Sequence, residues 1–105
     1  MDIMSDGPVL VLSGDLDVRS TMELRTAVQE LLHSYDEVAI DLSAVESADV
    51  TALRVLAAAT VQAIRDGHHL TLRGPSPAVR RMLHLSHLNR VVEVHRRPDP
   101  AAEAG

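Results

Sequence analysis

The residues best placed to do chemistry are a carboxylate and a hydroxyl two positions apart, Asp49 and Thr51, within Asp41-Leu-Ser-Ala-Val-Glu-Ser-Ala-Asp-Val-Thr-Ala-Leu-Arg-Val-Leu56. There a β-branched strand is expected to end in a short polar turn, and a long alanine-rich helix to begin. Asp at such a junction reads as a helix N-cap, because its carboxylate accepts backbone N–H groups that the first turn leaves unpaired. Thr51 then falls in the first turn, where the positive end of the helix favours an added phosphate by roughly 0.3–1 kcal/mol. The competing reading is that a Thr near a helix start is a cap and nothing more.

Other chemistry is less well supported. His84 and His87 are three apart and His68 and His69 are adjacent, but the chain has no Cys and no His-Glu-x-x-His pattern. Surface or cap-forming imidazoles explain them better than a zinc site. No Gly-x-Ser-x-Gly elbow accompanies the Ser, His and Asp residues, and Gly67 and Gly74 are isolated, so neither a hydrolase triad nor a phosphate-binding loop is indicated. Asp17, Asp41 and Asp49 could gather at strand ends, where ligand sites of open α/β sheets lie, but they lack a metal-ligand pattern. A binding protein without catalytic residues, metal or cofactor is the expectation.

The elements that must position these groups follow from periodicity. Residues 2–4 suggest a short edge strand, the turn-rich Ser5–Pro8 a hairpin, and Val9–Leu12 a buried strand. Gly14-Asp-Leu-Asp17 breaks that run, and Ser20 with Glu23 has capping-box spacing for a helix to about Ser34 whose apolar stripe is Leu24, Ala27, Val28, Leu31 and Leu32. Glu37–Leu42 predicts a second buried strand, and Val50–Arg65 a helix with Leu53, Leu56, Ala57, Thr60, Val61 and Ile64 on one face, stopped by Gly67. His69–Arg73 alternates as a strand, Ser76 and Pro77 open a helix to about Ser86, and Val91–His95 is a last short strand. Residues 96–105 are expected to be a disordered tail. This alternation predicts an α/β domain over 1–95: a mixed, largely parallel sheet of four to five strands with alternating helices and an antiparallel edge.

Composition narrows the class. At 105 residues the chain is one domain, and no apolar run nears the ~20 residues of a membrane span. The start lacks the basic and apolar regions of a secretion signal, so the cytoplasm is the expected location. Tyr35 is the only aromatic residue, which argues against base-stacking nucleic-acid modules, as does the net charge of −5. Charge is unevenly spread: residues 1–50 hold eleven acids against Arg19 and Arg25, a net of −9, and residues 51–105 hold eight Arg against four acids, a net of +4. The simpler reading is arginine on solvated helix faces, since halves of a sequence need not become faces of a fold.

Gly14-Asp-Leu-Asp17, the helix start at Ser20, Asp41-Leu-Ser43, Asp49–Leu56 and Val79–Val92, in this order and spacing, resemble a STAS domain, the SpoIIAA-like fold of bacterial anti-sigma factor antagonists. The resemblance runs from about Val9 to His95. It implies a protein that binds an anti-sigma factor of the histidine-kinase-like ATPase type, with ATP bound by that partner. The partner phosphorylates a Ser or Thr at the start of the helix after the Asp-Leu-Ser strand, and a phosphatase restores the protein. Thr51 occupies the acceptor position, and Asp17, Asp49, Val50, Thr51, Ala52 and Arg54 are the implied contact residues. The chain departs from the usual pattern at Val50 (commonly Ser or Thr), Ala52 (commonly Gly), Ser47 and Ala48 (commonly larger and apolar) and His87 (commonly a helix-ending Gly). Two other roles suit the same fold: an unmodified accessory subunit of an ABC-type lipid transporter, and a sensor or scaffold domain.

Overall fold

A two-residue turn starts the fold: Gly7 takes φ 57 and Pro8 follows it. Gly first in a two-residue hairpin loop is the pattern that matches strand twist. It joins β1 (Asp2–Asp6) to β2 (Val9–Leu16). The computed structural model describes residues 1–95, and the tail expected at 96–105 lies outside them. After β2 come α1 (Thr21–Ser34), β3 (Glu37–Ala48), α2 (Val50–Arg65), β4 (His69–Arg73), α3 (Pro77–Leu85) and β5 (Glu93–His95). The sheet order is β1-β2-β3-β4-β5, antiparallel between β1 and β2 and parallel thereafter.

Because the strands advance across the sheet in chain order, right-handed crossovers lay all three helices on one face. The burial pattern agrees. Leu10, Leu12 and Leu16 of β2, Val38, Ile40, Leu42 and Val45 of β3, and Leu70 and Leu72 of β4 are buried, while Val9, Val11, Asp41, Thr71 and Arg73 between them are half-exposed. The helices close this core with Leu24 and Val28, with Ala52, Leu53, Leu56, Ala57 and Ala63, and with Val79 and Leu83. Leu53, Leu56, Ala57 and Thr60 of the expected α2 face are buried, but Ile64 is 55% exposed, and Ala52 and Ala63 take part instead.

Both central strands outrun the sequence expectation. β2 does not stop at Leu12; it crosses register shifts at Ser13 and at Gly14, whose φ of 95 admits the irregularity, and re-enters the core with Leu16. In β3 the supposed polar turn is strand. Asp41 accepts from the Ser43 backbone N–H at 2.9 Å and its hydroxyl at 2.7 Å, beside the first register shift, and Val45 returns to the core. A bulge absorbs the extra residue while the polar side chains stay outside.

Helix ends follow the expected chemistry at Gly67 and Ser76 and not at Ser20. Gly67 (φ 86) ends α2, with the N–H of Gly67 bonded to the carbonyl of Ile64 and that of His68 to Ala63, the paired bonds of a Schellman end. Ser76 caps α3 by accepting from the Val79 N–H, and donates its hydroxyl to the Val45 carbonyl at 2.7 Å, which holds α3 against β3 where β4 has ended. The Ser20–Glu23 capping box does not form. Ser20 already has helical φ and ψ and no capping bond, because the chain first makes a 3-10 turn, Val18–Ser20, capped by Asp17. A second 3-10 turn, Leu88–Arg90, delays β5 to Glu93.

His87, after α3, has φ 62 and ψ 13. A Cβ in the left-handed region costs roughly 1 kcal/mol, so His87→Gly is expected to raise stability by about that amount in urea titration. At the opposite edge of β4, His69 bonds Glu93 of β5 through Nε2 and lies 3.5 Å from Glu37 of β3 through Nδ1. The bond to Glu93, then that to Glu37, raise its pKa above the ordinary imidazole value. A folded pKa raised above the unfolded one gives stability that is complete below about pH 6.5 and lost as pH rises through the folded value. His69→Gln is therefore expected to lower the melting temperature at pH 5.5–6 and not at pH 9. With His69 side chain 44% exposed, the effect stays under about 1 kcal/mol.

Candidate functional site

The candidate site lies where β2 and β3 end together. Leu16 pairs with Ala48, and the N–H of Asp49 bonds to the Leu16 carbonyl at 2.8 Å, so the two strands release the chain side by side into Asp17 and Asp49. Each aspartate caps the element that follows. Asp49 is extended (φ −82, ψ 139) and accepts from the Thr51 N–H at 2.6 Å, starting α2. Asp17 accepts from the N–H of Arg19 at 3.0 Å, from its guanidinium at 3.2 Å and from the Ser20 hydroxyl at 3.2 Å. Partial desolvation acts to raise the Asp17 pKa, but hydrogen bonds from the Arg19 side chain and Ser20, the Arg19 charge and the Arg19 N–H together hold it below the ordinary carboxylate range. One residue earlier, the Ser47 hydroxyl donates to Asp15 at 2.7 Å across the strands.

The hydroxyls at the helix starts divide sharply. Ser20 donates to Asp17, Thr21 to the Val18 carbonyl at 2.8 Å, and Ser76 to the Val45 carbonyl. Thr51 is exposed, and among the described residues only its backbone N–H, bonded to Asp49, is engaged. It is not the cap of α2; Asp49 is. On the outward side of α2, Arg54 and Ala58 are exposed and Val55 is half-buried, and by helical spacing they continue the surface from Thr51. Val50 is half-buried.

Ala52 requires a correction. Expected in the contact set, it is 0% exposed and belongs to the core, since its position on α2 turns it toward the sheet and away from Thr51. Its contribution is to the packing that holds the first turn. Val18 was not singled out by the sequence, yet it is 55% exposed in the 3-10 turn that packs beside α2. The only signal was an apolar residue in an apparent loop after Asp17. Asp49→Ala is expected to cost about 1 kcal/mol, as removal of an aspartate cap does, measured by urea unfolding, and to fray the turn that presents Thr51.

No group of three His, Cys, Asp or Glu is placed to hold a metal ion among the described residues, and no helix there is long and apolar enough to cross a membrane. The start of α2 presents the exposed Thr51 beside the capping Asp49 carboxylate, with Arg54, Val55 and Ala58 further along its outward side. The chain belongs to the STAS family, matching over residues 1–93 the family model described as Mlab, STAS domain. The structure of an anti-sigma factor antagonist from Mycobacterium paratuberculosis is similar, with 28% identity, a TM-score of 0.73, and coverage of 97% of this chain and 89% of that one. SpoIIAA in its unphosphorylated form gives 15% identity and a TM-score of 0.72 over 97% and 91% of the two chains. The phosphorylated form of SpoIIAA, a Bacillus cell fate determinant, gives 15% and 0.65 over 98% and 96%. At that identity the SpoIIAA structures show the fold alone. None of the curated proteins matches the chain.

Proposed function

We propose that the protein is an anti-sigma factor antagonist, switched by phosphorylation of Thr51. The observation that carries this reading is the contrast among helix-start hydroxyls: Thr51 is held in the first turn of α2 by its backbone while its own hydroxyl is unengaged among the described residues. The unmodified surface of Thr51, Val50, Arg54 and Asp49, with Asp17 and Val18 beside it, binds a histidine-kinase-like anti-sigma factor, which brings the ATP. Binding releases a sigma factor in the cytoplasm; the phosphate ends the complex, and a phosphatase resets it. The chain itself supplies no catalytic group or cofactor in this scheme. Similarity to the Mycobacterium antagonist supports it.

The family model supports a second reading through its description, Mlab. In that reading the same surface docks permanently on the ATPase of an ABC-type lipid transporter, and Thr51 is a contact residue. A tagged pull-down from the native cells, with mass spectrometry of both partner and Thr51, separates the two. A kinase-type anti-sigma factor, with phosphate confined to the unbound pool, supports the antagonist. A transporter ATPase bound to unmodified protein overturns it in favour of the second reading.

A further inference from the structure

Acidic and basic side chains are exposed on different helices, Glu23 and Glu30 on α1 and Arg80 and Arg81 on α3. At one edge, β1 and α1 form an open groove with Ile3, Ala27 and Leu31 in its lining, Met22 at its side 79% exposed, and Glu23 and Glu30 facing it. The lining contains no basic residue. Glu23 and Glu30 stand two helical turns apart, about 10 Å, room for one apolar side chain between them. The outward face of α3 presents Arg80, Arg81, His84 and Leu85, the last 66% exposed. No acid occurs from Gly74 to Val92. An apolar knob among arginines on one side thus matches an apolar groove between glutamates on the other.

We propose that these two surfaces join copies of this chain head to tail, with Leu85 in the groove of a neighbour and Arg80 and Arg81 against its Glu23 and Glu30. α2 packs between α1, which lines the groove, and α3, so the complement of each comes from a second molecule. Charge complementarity selects the occupant: the molecule as a whole carries −5, yet the face that fits the acidic groove holds two adjacent Arg and no acid. Facing charges act within the Debye length of about 8 Å at 0.15 M salt, which screens the repulsion between whole molecules, and lose most of their effect at 1 M, where it is about 3 Å. None of Glu23, Glu30, Arg80, Arg81 and Leu85 belongs to the Thr51 surface, so the contact does not depend on the phosphorylation reading.

Sedimentation equilibrium of the full chain tests this. At about 0.15 M salt the average mass is expected to rise with concentration above the 11.4 kDa of one chain and to return to it near 1 M. The double variants Glu23→Arg with Glu30→Arg, and Arg80→Glu with Arg81→Glu, are each expected to stay monomeric alone, since each makes groove and helix alike in charge. Mixed together, they are expected to associate again. All four positions are exposed, and circular dichroism confirms that the variants fold. Monomeric wild type throughout the concentration range overturns the proposal. So does association that survives either reversal, or variants that fail to associate when mixed.

Discussion

Thr51→Asp is expected to weaken binding of a histidine-kinase-like anti-sigma factor by a few tens-fold or more, measured by calorimetric titration, while thermal unfolding stays cooperative. The direction follows from where the charge is placed. Thr51 sits two residues from the Asp49 carboxylate, on an exposed turn. Within an interface an added anion loses solvent and meets like charge, which costs several kcal/mol when no cation compensates it. Even a loss of about 2 kcal/mol is some thirtyfold in affinity. In the free protein the same charge is tolerated, because the N–H groups and dipole of α2 favour an anion at that end. The fold survives and the complex does not.

A phosphate carries about −1.5 to −2 where aspartate carries −1, so Thr51→Asp sets a lower bound on the effect of modification. Thr51→Val supplies the control: it removes the acceptor hydroxyl without adding charge, and is expected to bind as wild type while resisting the kinase. Equal affinity of wild type and Thr51→Asp would count against the switch and favour permanent docking through the same surface. Arg54, one turn along α2, moderates the result. Its guanidinium lies on the same outward side, so the penalty is expected to be larger in an Arg54→Gln background.

The order of elements was legible because the core is aliphatic and periodic. Leu53, Leu56, Ala57 and Thr60 recur at helical spacing, and Gly67 and Ser76-Pro77 end and begin helices for local reasons that survive in the fold. The errors fall where tertiary pairing overrides local pattern. Ser43 to Ala48 looks like a turn because Ser43, Glu46 and Ser47 interrupt its apolar pattern; pairing with β2 and the Asp41–Ser43 bonds make it strand. Ser20 and Glu23 have the spacing of a capping box, but Asp17, three residues earlier, stops the chain in a 3-10 turn and takes the Ser20 hydroxyl for itself. For the site, spacing placed Thr51 and Asp49 correctly at the start of α2. It could not tell the outward face from the inward one, where a single residue step, from Thr51 to Ala52, crosses from solvent to core.

That step also defines the largest expected stability effect, at Leu53. This side chain is 1% exposed and lies in the core cluster, two residues after Thr51 on the inward face of α2. Leu53→Ala removes its buried methyl groups and leaves a cavity that the sheet beneath cannot fill, a loss of about 2–5 kcal/mol. A domain of this size has roughly 5–15 kcal/mol in all, so the variant is expected to melt some 10–30 °C lower, measured by circular dichroism. Thr51 and Arg54 are chemically unchanged by it. Affinity measured well below the melting transition should therefore fall far less than in Thr51→Asp, and saturating partner should raise the melting temperature, because binding to the folded state alone shifts the unfolding equilibrium. The two substitutions, two positions apart on one helix, are thus expected to separate cleanly: Thr51→Asp loses the complex and keeps the fold, whereas Leu53→Ala loses stability and keeps the surface. If Leu53→Ala instead abolished binding at temperatures where it is fully folded, the docking surface would have to include the packing of α2 itself.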